Sequence, residues 1–246
     1  MQLIRRVNPI NPALRKTAAQ VYARAFFDYP SITATWPDPV RRRRYLAWYL
    51  GCAIQFGLLY GEVYITPELT GLAIWLPPGH TEITTLRAIR AGFLLTPIKI
   101  GLRQFFRSKK LEDVPMAVHA EIMHQRPHWY LWGLAVDPQN QGQGTGTALL
   151  RAGLQQVDAQ GMPCYLETHA EQNVAFYSAE GFEVVRSVQV PDSELSFWCM
   201  LREAHQGGTN LLNAENAKCA EFSPDLQRCQ QSMLSIERES RYGTTS

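Results

Sequence analysis

The sequence predicts an α/β domain with a mixed, mostly antiparallel central sheet flanked by helices, and three observations carry that reading. From His128 onward, apolar strand runs alternate with stretches of helical periodicity. Two earlier apolar runs, Glu62–Thr66 and Gly71–Leu76, are separated by Pro67-Glu68 and read as a hairpin. A turn with alternating glycines joins the strand ending at Val136 to the helix beginning at Gly144. Strands joined by a crossover helix pair in parallel and hairpin strands antiparallel, which gives the mixed sheet.

Taken in order, a short strand is expected near Leu3–Val7. Asn11-Pro12 then supplies an N-cap and a favourable first residue for a helix to about Phe27, which Asp28-Tyr29-Pro30 breaks. After the loop Trp36-Pro37-Asp38-Pro39, a helix opens on Arg41–Arg44, with the arginines expected on its solvent side. The apolar run Tyr45–Gly61 only reaches the lower length limit of a membrane span and contains Gln55 and three glycines, so it reads as a core helix. Residues 81–124 read as helix broken at Thr96-Pro97 and around Val114-Pro115. His128–Val136 is a strand, Gly144–Gln160 a helix with apolar Leu149, Leu150, Leu154 and Val157, and Pro163–Thr168 a strand. Gln172–Ala179 is a short helix stopped by Gly181, and Phe182–Val190 and Leu195–Leu201 form a hairpin about Val190–Ser193. Residues 205–246 turn polar and aperiodic and are expected to be a poorly ordered tail.

Composition excludes several classes. The 246 residues carry 24 Lys+Arg against 22 Asp+Glu, a net charge of +2 that gives no general pull toward nucleic acid. No apolar leader follows Met1, and membrane association is not expected. Cys52, Cys164, Cys199, Cys219 and Cys229 form no C-x-x-C pair and no disulfide pattern, which favours a reducing cytoplasm. The histidines lack the spacing with cysteine that a zinc site needs, so no metal is expected.

The most informative stretch is Leu134 to Leu150. Gly142, Gly144 and Gly146 have no side chains to block approach, so the backbone N–H groups of Gly142, Gln143, Gly144, Thr145, Gly146 and Thr147 can converge on one point at a helix N-terminus, which is a phosphate site. The lysine of the G-x-x-x-x-G-K-[ST] loop is absent, and the spacing is not G-x-G-x-x-G. A tight turn with no ligand is the alternative.

Gln141-x-x-Gly144-x-Gly146, preceded by Val136-Asp-Pro138 and followed by Leu149-Leu150, resembles the acetyl-CoA motif of the GNAT N-acetyltransferase superfamily. Asn173-Val-Ala-Phe-Tyr177-Ser-Ala-Glu-Gly181-Phe182 resembles its second signature, in the expected order. The resemblance implies the GNAT acyl-CoA N-acyltransferase fold and acetyl-CoA as the donor. It also implies that Gln141 and the glycine backbone grip the pyrophosphate and that the strand Leu134-Ala135-Val136 pairs with the pantetheine arm. Ala25–Pro30, Trp75, His124-x-Arg-Pro127, Tyr165–Thr168 and Phe197–Met200 are similar in order and spacing to the puromycin N-acetyltransferase-like subgroup. Thr168–Glu171 departs from that pattern locally, and resemblance to a resistance enzyme does not make puromycin the substrate. The expected division is an acceptor-side half over residues 1–127 and an acetyl-CoA half over 128–204.

Acetyl transfer to an amine needs a neutral amine, a polarised carbonyl and a proton for the departing thiolate. Backbone groups of Gly133–Val136 left unpaired by a splayed neighbour can supply the second, and Gly133 suits a bulge there. Tyr177 is the candidate acid, because a phenol matches a thiolate in basicity; its alternative is a core aromatic. Glu167, at a strand end, is the candidate base, with a structural ion pair as its alternative and His169 and Glu171 as other bases on the same loop. Asn173 is expected to cap its helix or bond the cofactor. Tyr29, matching a substrate-side tyrosine of the puromycin-type pattern, and more weakly Trp36 and Trp75, are expected to contact a small-molecule amine, although core packing accounts for them equally. A protein or peptide acceptor, or a non-catalytic acyl-CoA-binding regulator, are the other readings, and monomer and homodimer both stay open.

Overall fold

The computed structural model describes residues 4–7 and 11–204. The tail expected over 205–246, with Cys219 and Cys229, lies outside the described residues. Seven strands form one sheet in the order β1-β2-β3-β4-β5-β7-β6. The strands are β1 (Arg5–Val7), β2 (Glu62–Ile65), β3 (Gly71–Leu76), β4 (Trp129–Val136), β5 (Cys164–Thr168), β6 (Glu183–Gln189) and β7 (Ser196–Arg202). Every pairing is antiparallel except β4 with β5, which a crossover helix joins. The mixed, mostly antiparallel sheet is therefore as expected. β7 lies between β5 and β6, so the last hairpin adds its second strand to the sheet before its first.

Helix α1 (Pro12–Phe26) starts where Asn11 accepts a hydrogen bond from the Leu14 N–H at 2.8 Å. A short α2 (Pro30–Thr35) precedes α3 (Pro39–Tyr60), which Asp38 caps at the Val40 N–H, 2.9 Å. Leu46, Leu50 and Ile54 of α3 join Ala18 and Tyr22 of α1 over Val63, Leu72 and Ile74. The arginine run does not all face solvent: Arg42 lies one turn before Leu46 on the buried side. Its guanidinium donates to the Trp36 carbonyl at 2.8 Å and to Asp28 at 3.2 Å. No helix among the described residues is long and apolar enough to cross a membrane.

The segment after β3 forms α4 (Thr85–Ala91), a 3-10 turn at Phe93–Leu95, α5 (Thr96–Ile100) and α6 (Leu102–Met123). The break expected near Pro115 does not occur, and α6 runs through it. Proline there removes one backbone hydrogen bond. Packing compensates, because Leu111, Val114, Val118, Ile122 and Met123 all seat against one apolar cluster under the sheet. On the opposite face α7 (Thr145–Ala159) buries Leu149, Leu150, Leu154 and Val157 against Trp75, Trp129 and Leu166. The short α8 (Gln172–Ser178) adds Tyr177 to that layer.

Two irregularities in β4 shape everything that follows. Against β3, Ile74 faces Gly133 and Trp75 faces Leu131, so Trp132 is an extra residue. This bulge puts Trp132 and Gly133 on the α1 and α3 side and returns Leu134 to the α7 side. Against β5, pairing covers only Trp129 with Cys164 and Tyr130 with Tyr165. Beyond Tyr130 the two strands part, although β4 continues to Val136 and β5 to Thr168.

Candidate active site

The parting of β4 and β5 leaves the β5-facing backbone groups of the segment from Leu131 to Val136 without strand partners. Leu134, Ala135 and Val136 lie on it and lead directly into the glycine turn. The hydrogen-bond demand of that segment can be met by an extended amide-bearing ligand added as a strand.

At the end of β4 the chain is pinned before it turns. Asp137 donates its N–H to the Thr70 carbonyl at 2.8 Å, and its carboxylate accepts from Arg24 Nε at 2.9 Å. Gln141 donates from Nε2 to the Val136 carbonyl at 3.1 Å, and Gln143 likewise to the Gln139 carbonyl at 3.3 Å. Gly142 and Gly144 have φ of 73° and 80°, the left-handed region that makes side chains costly. The space a Cβ would enter at either position is open. Gly144 caps α7, and Ala148 is the first residue whose N–H bonds back to it, at 2.9 Å. The N–H groups of Thr145, Gly146 and Thr147 therefore point out of the helix, unclaimed among the described residues, with the dipole adding positive potential. This donor set fits a pyrophosphate, and the unpaired β4 edge beside it fits an amide-bearing arm.

Glu167 lies two residues past the last β4–β5 pair, so it stands in the opening. Tyr130 Oη donates to its Oε2 at 2.6 Å, while Oε1 is buried with no hydrogen-bond partner among the described residues. Burial pushes its carboxyl up to about 7, against partial relief from Tyr130 and the nearby Tyr165 hydroxyl. No ion pair is formed by Glu167 among the described residues, so the structural alternative is not realised there.

Tyr177 packs on the other face of the sheet, in the layer under α7. It is 8% exposed, within a layer of Leu149, Leu166 and Phe182. Burial, and to a lesser extent Tyr29, Tyr22 and Cys164, raises its phenol well above the ordinary value, so it stays protonated. Asn173 does not cap α8, since Glu171 occupies that position; the helix begins one residue before the asparagine. Its Nδ2 instead donates to Thr168 Oγ1 at 3.3 Å and ties α8 to the end of β5.

Tyr29 meets the same strand end from the start of α2. Its hydroxyl is 3.1 Å from Thr168 Oγ1 and accepts from the His169 N–H at 2.8 Å. His169 is half-buried rather than solvated, lies 5.5 Å from the Phe197 ring, and is pushed down to about 4 by burial. Glu171 is exposed. The other two aromatic candidates are not brought here. Trp75 is fully buried under α7, where any side chain on Gly153 would strike its ring. Trp36 stacks edge-on with Tyr49, 5.1 Å away, and lines a cavity of about 180 Å³ with Arg41, Tyr45, Ile100 and Gln104, none of which belongs to the opening.

Three residues of the site have no motif in the sequence. Tyr22 projects from α1 so that its hydroxyl would lie 2.2 Å from a Cβ on Gly133. The glycine therefore admits a phenol at the bulge, and Tyr22 is close enough to Tyr130 and Tyr177 to raise their phenols and is itself raised by Tyr29. His119 stacks on Tyr165, 4.3 Å between ring centroids and 7° from parallel. Its Nε2 is 2.7 Å from His128 Nε2. His128 Nδ1 lies 2.6 Å from the Arg126 carbonyl, which can only accept, so His128 carries its proton on Nδ1 and His119 donates. Burial lowers both imidazoles, leaving a neutral pair that braces the tyrosines around Glu167. The one available signal was Gly133, the glycine expected at a bulge.

Comparison with known proteins agrees with the fold. Residues 103–182, from α6 through the second signature, match the Acetyltransferase (GNAT) family. A crystal structure described as histone acetyltransferase HPA2 and related acetyltransferase, from Corynebacterium glutamicum, superposes with a TM-score of 0.55 at 18% identity, covering 84% of this chain and 98% of that one. The fold is that of the GNAT acetyltransferases. Arylalkylamine N-acetyltransferase 2 from Aedes aegypti gives a TM-score of 0.53 at 14% identity, covering 82% of this chain and 99% of that one. An uncharacterised N-acetyltransferase of Schizosaccharomyces pombe is 23% identical over 199 residues, 76% of this chain and 79% of its own length. At such identities the likeness to solved structures carries the GNAT fold and does not distinguish a subgroup or an acceptor.

Proposed function

We propose that the protein is an N-acetyltransferase that moves the acetyl group of acetyl-CoA directly to the amine of a small molecule. The observation that carries this reading is the opening between β4 and β5, with an open helix N-terminus at one end, Glu167 beside it and Tyr177 in the layer on the α7 side of the sheet. Acetyl-CoA supplies an activated thioester. Gln141, the backbone of 142–147 and the edge of Leu134–Val136 hold its pyrophosphate and arm, and Asn173 holds the end of β5 in place beside it.

Glu167 takes a proton from the incoming ammonium or amine, directly or through water, so that nitrogen can attack the carbonyl carbon. Its raised pKa matches that task near neutral pH. A β4 N–H in the opening polarises the carbonyl oxygen. As the carbon–sulfur bond breaks, Tyr177 Oη donates its proton to the leaving sulfur and regains one from solvent. No acyl-enzyme is involved. Cys164 and Cys199 are buried, with thiols raised by desolvation, and suit packing. Tyr29 beside Thr168 and His169 supports an acceptor site lined by aromatics, in keeping with the likeness to the puromycin-type pattern.

The test is thiol release from acetyl-CoA with a panel of small amines, puromycin included, and peptides alongside. Release with small amines supports the reading. Activity with peptides alone would reassign the acceptor, CoA binding without turnover would make the chain a regulator, and failure to bind CoA would remove the reading altogether.

A further inference from the structure

The outer face of the α4 to α6 segment takes no part in the opening, yet its chemistry is unusual. Residues 83–111 contain seven lysines and arginines and no aspartate or glutamate, so a nearly neutral chain concentrates positive charge in one place. The inward side of this segment is accounted for by Ala91, Phe93, Ile100 and Phe105, which join the apolar clusters. A second apolar set remains outside: Leu86, Leu94, Leu95, Ile98, Leu102 and Phe106 are exposed, Ile98 by 80% and Phe106 by 64%. They fall on consecutive elements, with Leu102 and Phe106 one helical turn apart on α6. Isolated exposed apolar side chains need no explanation, whereas a run of this length marks an interaction surface.

The cations frame this run. Arg103 and Arg107 follow one turn apart on α6, and Lys99 sits 5.2 Å above the Trp48 ring. The Arg41 guanidinium comes within 3.9 Å of the position of a Cβ on Gly101, which brings the exposed arginines of α3 to the edge of the same surface. Arg41, Arg44, Arg90, Lys99, Arg103 and Arg107 have no carboxylate partner among the described residues, while Lys109 and Lys110 do. A twofold contact with a second copy would press these cations against themselves. A nucleic acid would satisfy the charges and leave the exposed apolar residues without a partner.

We propose that this face docks on a membrane surface rich in anionic lipid, with Ile98, Leu102 and Phe106 entering the boundary between headgroups and acyl chains and Arg103 and Arg107 on the phosphates. Apolar side chains rimmed by cations are the pattern of interfacial binding, and the two contributions reinforce each other. This replaces the expectation from sequence that no membrane is involved; a spanning helix is neither present among the described residues nor required.

The full-length protein is floated with phosphatidylcholine vesicles, with and without phosphatidylserine, at low and high salt. Binding is expected only with phosphatidylserine and is expected to weaken with salt. Arg103→Glu with Arg107→Glu weakens it by at least roughly twentyfold, at about fivefold per cation lost. Ile98→Asp with Phe106→Asp abolishes it while the circular dichroism spectrum and acetyl-CoA affinity stay unchanged. Equal binding to both vesicle types, no binding to either, or binding that survives the aspartates would overturn the proposal. A dimer in sedimentation velocity that the aspartates dissociate would assign the face to a second copy. Retention on a polynucleotide resin lost only with the glutamates would assign it to nucleic acid.

Discussion

The two halves of the sheet meet at β4 and are built on different principles. From β4 to the start of α7 the site consists of backbone: an unpaired strand edge, two left-handed glycines and a helix N-terminus, all within one short stretch of chain. From β1 to β3 and α1 to α6 it consists of side chains that arrive from far apart, Tyr22 from α1, Tyr29 from the start of α2 and His119 from α6. The contrast teaches that the proposed donor site can be written in a local motif, whereas the proposed acceptor site exists only after folding.

The largest effect is expected where the halves share the reacting atoms. Tyr177→Phe should lower kcat by about 1,000-fold and leave acetyl-CoA affinity within about twofold, read by steady-state kinetics beside calorimetry; an unchanged kcat would return Tyr177 to the core. Glu167→Gln should lower turnover by about 100-fold and remove the rise in rate through pH 7 that the raised carboxyl gives the wild type. The same substitution carries a stability signature. A carboxyl whose pKa climbs from 4.5 to about 7 on folding favours the native state when protonated, so that stabilisation is lost as pH rises through this window. The melting temperature of Glu167→Gln should therefore exceed that of the wild type at pH 8 by more than it does at pH 5.

Smaller effects should sort by half. Gly144→Val, at a φ of 80°, should weaken acetyl-CoA binding by roughly tenfold through backbone strain, with kcat at saturation nearly unchanged. Gly133→Ala should cost about 1–3 kcal/mol, because its Cβ meets the Tyr22 hydroxyl, and Tyr22→Phe in the same chain should recover part of the loss in chemical denaturation. Trp75→Phe should lower stability alone and leave the Michaelis constant for the amine unchanged, since the ring is shut beneath α7.

Much of the donor half was legible because its signals are short in range. Helix α7 begins one residue after the glycine that announced it and ends one residue before the expected stop, since apolar period and glycine punctuation agree there. Gly133 signalled the bulge in the same stretch, whereas the parting of β4 from β5 is set by strand pairing that no local signal fixes. The acceptor half was less legible for physical reasons. Pro115 signals a break in any isolated helix, and only tertiary packing carries α6 through it. Trp75 and Trp36 look the same as ligand aromatics in sequence, and burial alone separates them. The pairing of His119 with His128 needs a helix end and a strand start to fold together, which no spacing rule encodes. Placement of β7 between β5 and β6 is equally a choice of partner that a hairpin signal leaves open.

The central claim is that backbone amides of β4 and the start of α7 receive acetyl-CoA. Amide hydrogen exchange of the full-length protein, with and without acetyl-CoA, tests it most directly. Protection should increase in peptides covering 131–136 and 142–147 and stay unchanged across the β2–β3 hairpin, whose amides are already paired. Protection confined to other segments, or no change at saturating acetyl-CoA, would contradict the account.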